Sequence, residues 1–360
     1  MKPTRQLHDL GQSLWLDNIT RTMLDDGTLA RYIDDYCVTG LTSNPSIFDA
    51  AIGGGNAYDA AIATKARQGL RGEDLFFELA VEDLQRAAEL FRPVHVATSG
   101  VDGWVSLEVS PLLAGDTAGS IVAAQRIHDA ASRANLFVKI PGTQEGVPAI
   151  EEAIFRGIPV NVTLLFSTAQ YLAAAEAYLR GIERRIAAGL DPDIASVASL
   201  FISRWDVAAN AVLPAALHNQ LGIAVGQQAY RAYCQLLASS RWQKLAAAGA
   251  NPQRLLWAST GTKDPNASDT LYVSAFAAPL TINTLPEKTL LAFADHGNVT
   301  GAMAADGGDA DMCIARIAEA GVDVAVLAQR LQKEGAEAFV KSWRELLKRI
   351  AEKTPAAGIT

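Results

Sequence analysis

The sequence predicts an α/β protein folded as a single (β/α)₈ barrel with additional helices. Short apolar strand patterns alternate with amphipathic helix patterns, and about eight strands are each followed by helix. No linker rich in proline, glycine or serine divides the 360 residues, so we predict one domain over 1–360 with a C-terminal helical region at about 320–352. The alternative is an open doubly wound sheet, which needs a glycine-rich first turn, and no G-x-G-x-x-G motif occurs.

The first half of the chain supplies the first four predicted strands. Each is a short, mostly apolar run, and the run at 136–140, closed by Pro141 and Gly142, is typical of a strand buried on both faces. Pro45 forces Asn44 out of the helical region, and a helix can begin directly after it. The predicted elements are strand 14–17, helix 28–34, strand 38–41, helices 59–68 and 74–91, strand 104–109, helix 117–134 and strand 136–140.

The second half continues the alternation of strand and helix. Its alanine-rich helix patterns are interrupted by Glu, Arg and Gln at helical spacing. Strand 160–166 places Asn161 and Thr163 on one face because side chains alternate along a strand. The predicted elements are helix 146–156, strand 160–166, helix 167–188, strand 197–203, helices 207–217 and 226–248, strands 255–259 and 280–285, helix 323–352 and a frayed tail over 354–360.

Composition and charge argue against several classes of protein. Hydrophobic residues make up 49% of the chain and charged residues 19%, which favours a large core over disorder. The net charge of −8 opposes a nucleic-acid partner. Three scattered cysteines fit a reducing compartment, and five dispersed histidines predict no metal site. Without a secretory signal or the roughly 20 apolar residues of a membrane helix, we expect a cytoplasmic protein with no membrane partner.

The fourth predicted strand contains an unexpected lysine. Its apolar run is closed by Pro141 and Gly142 and is interrupted in the middle by Lys139. An ammonium group that leaves water needs a charged partner or gives up its proton, and a neutral amine can form a Schiff base with a carbonyl compound. For this strand alone, a sheet-edge lysine with its head group in water is the more common explanation.

Other polar residues lie on or near the C-terminal halves of the predicted strands, where the active sites of such barrels form. Taken singly, each has a structural explanation as a helix cap, a turn residue, an internal hydrogen-bonding group or a surface charge. Taken together, they predict one pocket with an amine, two carboxylates, amides, hydroxyls and a cationic rim. They are Asp17, Asn44, Glu108, Lys139, Asn161, Thr163, Ser199, Arg204, Ser259 and Lys263.

Class I aldol chemistry needs this set of groups. The amine attacks a ketone and forms an iminium ion, which lets the neighbouring carbon–carbon bond break through an enamine. One carboxylate moves protons during dehydration and hydrolysis with the help of a water. A second carboxylate takes the proton from the hydroxyl whose carbon becomes an aldehyde. Cations at the far end hold a phosphate, and no metal or organic cofactor is required.

Six stretches from the first strand to beyond the middle of the chain carry a resemblance to a known family. They read Leu16-Asp17, then LTSNPS at 41–46, VSLEV at 105–109, VKIPGT at 138–143, NVTLLFS at 161–167 and SLFISR at 199–204. In this combination and order, the chain resembles the transaldolase family, the Schiff-base sugar-transfer enzymes of the pentose phosphate pathway. The resemblance implies a (β/α)₈ barrel with the Schiff-base lysine on the fourth strand, where Lys139 falls.

The resemblance also implies roles for the other residues. Asp17 would be the acid and base for the hydroxyl next to the cleaved bond, while Glu108 would move protons through a water that Thr163 holds. The implied substrates are sugar phosphates, with sedoheptulose 7-phosphate or fructose 6-phosphate as donor and glyceraldehyde 3-phosphate or erythrose 4-phosphate as acceptor. The implied substrate-binding residues are Ser43, Asn44, Asn161, Ser199, Phe201, Arg204, Ser259 and Lys263.

One position departs from the family pattern. Related enzymes usually have a second phosphate-binding arginine shortly after the serine that Ser259 matches. This chain has Lys263 there, and a lysine cannot form the bidentate contact with an anion that a guanidinium forms.

Two other functions stay open: a simple aldolase that releases or uses free dihydroxyacetone, and a non-catalytic sugar-phosphate-binding protein. The sequence is compatible with either a monomer or a homodimer.

Overall fold

Eight parallel strands form a closed barrel in sequence order, with the last strand paired to the first. The predicted (β/α)₈ fold is confirmed by this topology. The computed structural model describes residues 1–354, so positions 355–360 of the predicted domain and of its tail lie outside the described residues. The strands are β1 Ser13–Leu16, β2 Val38–Thr42, β3 Trp104–Glu108, β4 Leu136–Pro141, β5 Val160–Leu165, β6 Ser196–Phe201, β7 Gln253–Ala258 and β8 Ile282–Leu285.

Helices connect and surround these strands, with 3₁₀ turns at Pro111–Leu113 and Ala215–Leu217. None of the helices within residues 1–354 is long and apolar enough to cross a membrane. The helices are α1 Pro3–Asp9, α2 Arg21–Asp25, α3 Thr28–Tyr36, α4 Pro45–Gly53, α5 Asp59–Arg67, α6 Gly72–Ala97, α7 Thr117–Ala131, α8 Gly146–Phe155, α9 Thr168–Ala187, α10 Ser203–Ala209, α11 Leu221–Ala238, α12 Ser240–Ala247, α13 Leu271–Ala275, α14 Glu287–His296, α15 Ala310–Glu319 and α16 Val324–Lys353.

The amino-terminal half of the barrel interior is filled with aromatic side chains. The rings of Trp104 and Phe137 stack with their centroids 4.1 Å apart, and the ring of Trp15 lies 6.1 Å from that of Phe137. Gly40 leaves room for Trp15, because a Cβ atom at Gly40 would lie 2.7 Å from the indole ring. Since side chains alternate along a strand, Lys139 points into the barrel two residues beyond Phe137, above this closed floor.

Two predicted helices differ from the structure. The predicted helix 207–217 is wrong: α10 already ends at Ala209, and a 3₁₀ turn follows Pro214, whose ring disfavours a helical conformation at the residue before it. The predicted helix 226–248 is divided into α11 and α12, because Ser239 has an extended backbone and its hydroxyl accepts a hydrogen bond from the Trp242 amide. Helices α1, α2, α13, α14 and α15 were not predicted.

The last helix, α16, crosses the mouth of the barrel. Gln332 in its first half donates hydrogen bonds to the carbonyl oxygens of Gly142 and Leu164, which lie just after β4 and near the end of β5. Its second half is tied to α4 by an ion pair of 2.7 Å between Arg349 and Asp49. This helix therefore lies over the strand ends at which the predicted site residues gather.

Candidate active site

A cavity of about 630 Å³ opens at the carboxyl ends of the strands. Ser43, Glu108 and Asn161 are buried directly behind its lining, in contact with lining residues. The structure thus brings all twelve predicted site residues to one place. The predicted residues that line the cavity are Asp17, Asn44, Lys139, Thr163, Ser199, Phe201, Arg204, Ser259 and Lys263.

The amine of Lys139 lies at the inner wall of this cavity. Lys139 is 5% exposed, and its Nζ donates a hydrogen bond of 2.9 Å to the backbone oxygen of Ser43. The same Nζ lies 3.3 Å from Oε2 of Glu108. This pairing follows from the strand register, which aligns Glu108 on β3 with Lys139 on β4. The amine therefore has a carboxylate beside it and the cavity in front of it.

Glu108 and Thr163 contribute polar groups that are incompletely paired. Burial raises the pKa of the Glu108 carboxyl, and the charge of Lys139 opposes that rise. Neither carboxylate oxygen of Glu108 has a well-oriented hydrogen bond within residues 1–354, although Oε2 contacts the Lys139 amine. The buried hydroxyl of Thr163 also has no partner in this part of the chain. The Glu108 carboxyl can therefore exchange protons beside the amine, and the Thr163 hydroxyl is available to bind a water or a ligand.

Asp17 provides the second carboxylate, directly after β1. Burial raises its pKa, and the charges of Lys139 and Lys263 and a hydrogen bond from Thr42 oppose this rise. The Thr42 hydroxyl donates to Oδ1 of Asp17 at 2.7 Å and lies 2.7 Å from the Thr284 hydroxyl. This chain of hydroxyls fixes the orientation of a carboxyl group that lines the cavity.

The amide of Asn161 is held by its neighbours. Its Oδ1 accepts a hydrogen bond of 2.7 Å from Ser199, and its Nδ2 lies 3.2 Å from Oγ of Ser106. Ser43 joins the same layer by donating its hydroxyl to the backbone oxygen of Ser106 at 2.7 Å. The polar groups behind the Lys139 amine are therefore held in fixed orientations by hydrogen bonds to one another.

Asn44 lies at the rim of the cavity and is also the N-cap of α4. Its Oδ1 accepts hydrogen bonds from the backbone amide of Ile47 and the hydroxyl of Ser46, at 3.1 Å and 2.6 Å. The structural explanation predicted for Asn44 was a turn residue before Pro45; the structure shows a helix cap instead, and this cap and the position in the pocket occur together. Because the oxygen is engaged in the cap, the amide nitrogen is the group that Asn44 can offer to a ligand.

The opposite end of the cavity is cationic. The guanidinium of Arg204 lies 5.2 Å from the ring centre of Phe201, and burial lowers the pKa of Arg204. Within the described residues it has no ion pair. Ser259 has left-handed backbone torsion angles, and its hydroxyl lies 3.0 Å from that of Ser203. With Lys263 exposed at the rim, this end of the cavity can accept an anion.

Several lining residues were not predicted from the sequence. Thr42 and Thr284 point into the barrel from the ends of β2 and β8, so strand alternation could have identified them. Phe339 reaches the cavity from α16, and no local sequence signal connects that helix with the strand ends. Within residues 1–354, no cluster of His, Cys, Asp and Glu side chains could hold a metal ion.

The fold and the site define the class of this protein as a (β/α)₈-barrel enzyme with its site at the carboxyl face of the barrel. The family model described as "Transaldolase/Fructose-6-phosphate aldolase" matches residues 14–350. The chain is 46% identical over 354 residues to a transaldolase of Arthrobacter sp. (strain FB24), covering 96% of this chain and 95% of that protein.

Two further relatives match along almost their full length. The chain is 44% identical to a transaldolase of Thermobifida fusca (strain YX), which aligns over 98% of this chain and 99% of the relative. It is 42% identical to a transaldolase of Parafrankia sp. (strain EAN1pec), with 99% of each chain covered. The chain belongs to the transaldolase/fructose-6-phosphate aldolase family, and the family predicted from the six sequence stretches is confirmed.

Proposed function

We propose that this protein is a transaldolase that transfers a dihydroxyacetone unit between sugar phosphates through a Schiff base on Lys139. The observation that carries this proposal is the buried Lys139 amine, 3.3 Å from the Glu108 carboxylate and facing a cavity with a cationic far end. The transaldolases to which the chain is similar support the same activity. The enzyme would then act in the pentose phosphate pathway, in the cytoplasm.

The first half of the reaction forms the imine and breaks the carbon–carbon bond. Lys139 attacks C2 of sedoheptulose 7-phosphate or fructose 6-phosphate, and the carbinolamine loses water to give an iminium ion. Glu108, whose pKa burial raises, supplies a proton to the leaving hydroxyl, with a water beside Thr163 as relay. Asp17 then takes the C4 hydroxyl proton, the C3–C4 bond breaks, and the aldose phosphate leaves.

The second half reverses these steps on a new acceptor. The three-carbon enamine on Lys139 adds to the aldehyde carbon of glyceraldehyde 3-phosphate or erythrose 4-phosphate, and Asp17 returns its proton to the new hydroxyl. Water hydrolyses the imine and frees the amine. Asn161 and the amide nitrogen of Asn44 would hold the hydroxyls of the dihydroxyacetone unit.

The cationic end of the cavity would hold the substrate phosphate. Arg204, without an ion pair among the described residues, supplies the main charge, and Ser259 adds a hydroxyl. Lys263 would contribute a point charge at the rim in place of the second arginine of related enzymes. Because one chain supplies the whole site, we propose that either a monomer or a homodimer is active.

An assay with and without an acceptor tests this function. With fructose 6-phosphate and erythrose 4-phosphate together, we expect formation of sedoheptulose 7-phosphate and glyceraldehyde 3-phosphate. With fructose 6-phosphate alone, we expect no sustained turnover, because the enamine on Lys139 has no acceptor aldehyde to react with. Steady release of free dihydroxyacetone without an acceptor would instead show a simple aldolase, and binding without any turnover would show a non-catalytic sugar-phosphate-binding protein.

A further inference from the structure

Helix α16 approaches the cationic end of the cavity closely at Gly335. This residue is buried on the face of the helix that is turned towards the barrel. A Cβ atom at Gly335 would lie 3.2 Å from Nη1 of Arg204 and 3.0 Å from Cδ2 of Leu164. Both separations are shorter than ordinary van der Waals contact, so any larger residue at Gly335 must displace the guanidinium or its neighbour.

Phe339, one helical turn further along α16, covers Arg204 from the same side. Its ring centre lies 6.0 Å from the guanidinium carbon, and the ring of Phe201 on β6 lies 5.2 Å from the same atom. Arg204 forms no ion pair with a carboxylate in residues 1–354. Packing against these rings, rather than a charged partner, therefore sets the position of the guanidinium.

The first half of α16 is fixed to the barrel beside this contact. Gln332, one turn before Gly335, donates hydrogen bonds of 2.9 Å and 3.0 Å to the carbonyl oxygens of Gly142 and Leu164. Leu164 has a φ of +59°, and the register of β5 against β6 shifts at this point. The same segment of α16 thus holds the irregular end of β5 and faces Arg204.

We propose that Gly335 and Phe339 are positioning residues that set the affinity of this enzyme for phosphorylated substrates by holding the Arg204 guanidinium in place. The inference rests on the proposed function, since it assigns the substrate phosphate to Arg204. Gly335 gives the guanidinium room, and Phe339 limits its movement away from Phe201. Neither residue takes part in the chemistry at Lys139, so changing them should affect phosphate binding and leave imine formation intact.

A graded pair of variants tests the role of Gly335. In Gly335→Ala we expect the KM for fructose 6-phosphate to rise by about threefold to tenfold, the range expected for a weakened cation–π and anion site. In Gly335→Val, with two more carbon atoms to accommodate, the rise should be larger. The inhibition constant for inorganic phosphate should rise with KM, while kcat stays within about twofold.

Two controls separate the possible outcomes. Ala338→Ser changes an exposed residue on the same helix and should alter neither KM nor phosphate inhibition. Borohydride trapping of dihydroxyacetone, which has no phosphate, should modify Lys139 equally in the wild type and all variants. If trapping fails in the wild type, the proposed function fails. If trapping is intact but neither Gly335 variant changes KM or phosphate inhibition, the role of α16 is refuted.

Phe339→Leu extends the test without leaving a large cavity in a buried contact. We expect the same pattern in this variant: a higher KM, a higher inhibition constant for phosphate and unchanged trapping of dihydroxyacetone. A loss of kcat at unchanged KM would contradict a positioning role and show a general effect on the barrel.

Discussion

Two buried lysines in this protein have opposite surroundings. Lys65 on α5 is 9% exposed, and its Nζ lies 2.6 Å from Glu82 and 3.3 Å from Glu78 on α6. Burial lowers the pKa of Lys65, but the two carboxylates raise it above the ordinary value for lysine. The charge of Lys65 is therefore balanced by two carboxylates whose side chains are about half exposed. These ion pairs join α5 to α6.

Lys139 is buried to a similar degree but is matched much less completely. Its closest carboxylate, Glu108, is itself buried and lies 3.3 Å away, and its hydrogen bond goes to a backbone oxygen of Ser43. It also lines a cavity of about 630 Å³. Burial alone does not distinguish the proposed Schiff-base lysine from Lys65, since both side chains are buried. A buried lysine that is incompletely paired and lies next to an open cavity is the better indicator of a functional site.

The largest expected difference between the two lysines is in activity. Lys139→Ala removes the proposed nucleophile, so kcat for sugar transfer should fall by at least roughly 10³-fold. Lys65→Met removes only the two ion pairs between α5 and α6, so kcat should stay within about twofold of the wild type. Both variants are measured in the coupled assay with fructose 6-phosphate and erythrose 4-phosphate, after circular dichroism shows that they are folded.

Either of two results would contradict the different roles assigned to Lys139 and Lys65. Substantial turnover by a folded Lys139→Ala protein would remove the lysine from the mechanism. A loss of activity in a folded Lys65→Met protein as large as that in Lys139→Ala would mean that the helical lysine is not merely structural.

Smaller effects are expected on the thermal stability of the protein, where changes at Asp17 and at Glu82 should shift the Tm in opposite directions. Burial raises the pKa of Asp17, so the folded protein is destabilised as pH rises from the ordinary carboxyl pKa, about 3.9, towards the raised one. Asp17→Asn removes this cost and keeps an acceptor for Thr42, so its Tm at pH 7 should be higher than that of the wild type. The gain should shrink as pH falls and vanish at about pH 3, well below the ordinary pKa, where the wild-type carboxyl is mostly protonated in both states.

The corresponding substitution in the helical layer, at Glu82, should lower the Tm instead of raising it. Glu82→Gln weakens the partly exposed ion pairs with Lys65 and Arg21, so its Tm at pH 7 should fall, by about 2 °C or less. Thermal unfolding of both variants from pH 3 to pH 8 checks the signs. A drop in Tm for Asp17→Asn at pH 7 would show that the Asp17 carboxylate is stabilised in the folded barrel.

Much of the barrel and its site could be predicted because the signals are local. Lys139 interrupts an apolar strand, and Asp17 and Glu108 follow or end such strands, so parallel pairing brings them to one face. The predicted helix 207–217 was wrong because the helix that contains Val207 begins at Ser203 and ends at Ala209, before Pro214. Phe339 and Gly335 could not be found, since their roles depend on where the last helix crosses the barrel.

Chemical trapping identifies the lysine that carries the substrate. The wild-type protein would be treated with fructose 6-phosphate and borohydride, digested, and mapped by mass spectrometry of the peptides. We expect a reduced three-carbon adduct on Lys139 and none on Lys65. An adduct confined to another lysine, or a folded and active enzyme with no trapped lysine, would contradict the Schiff-base mechanism proposed here.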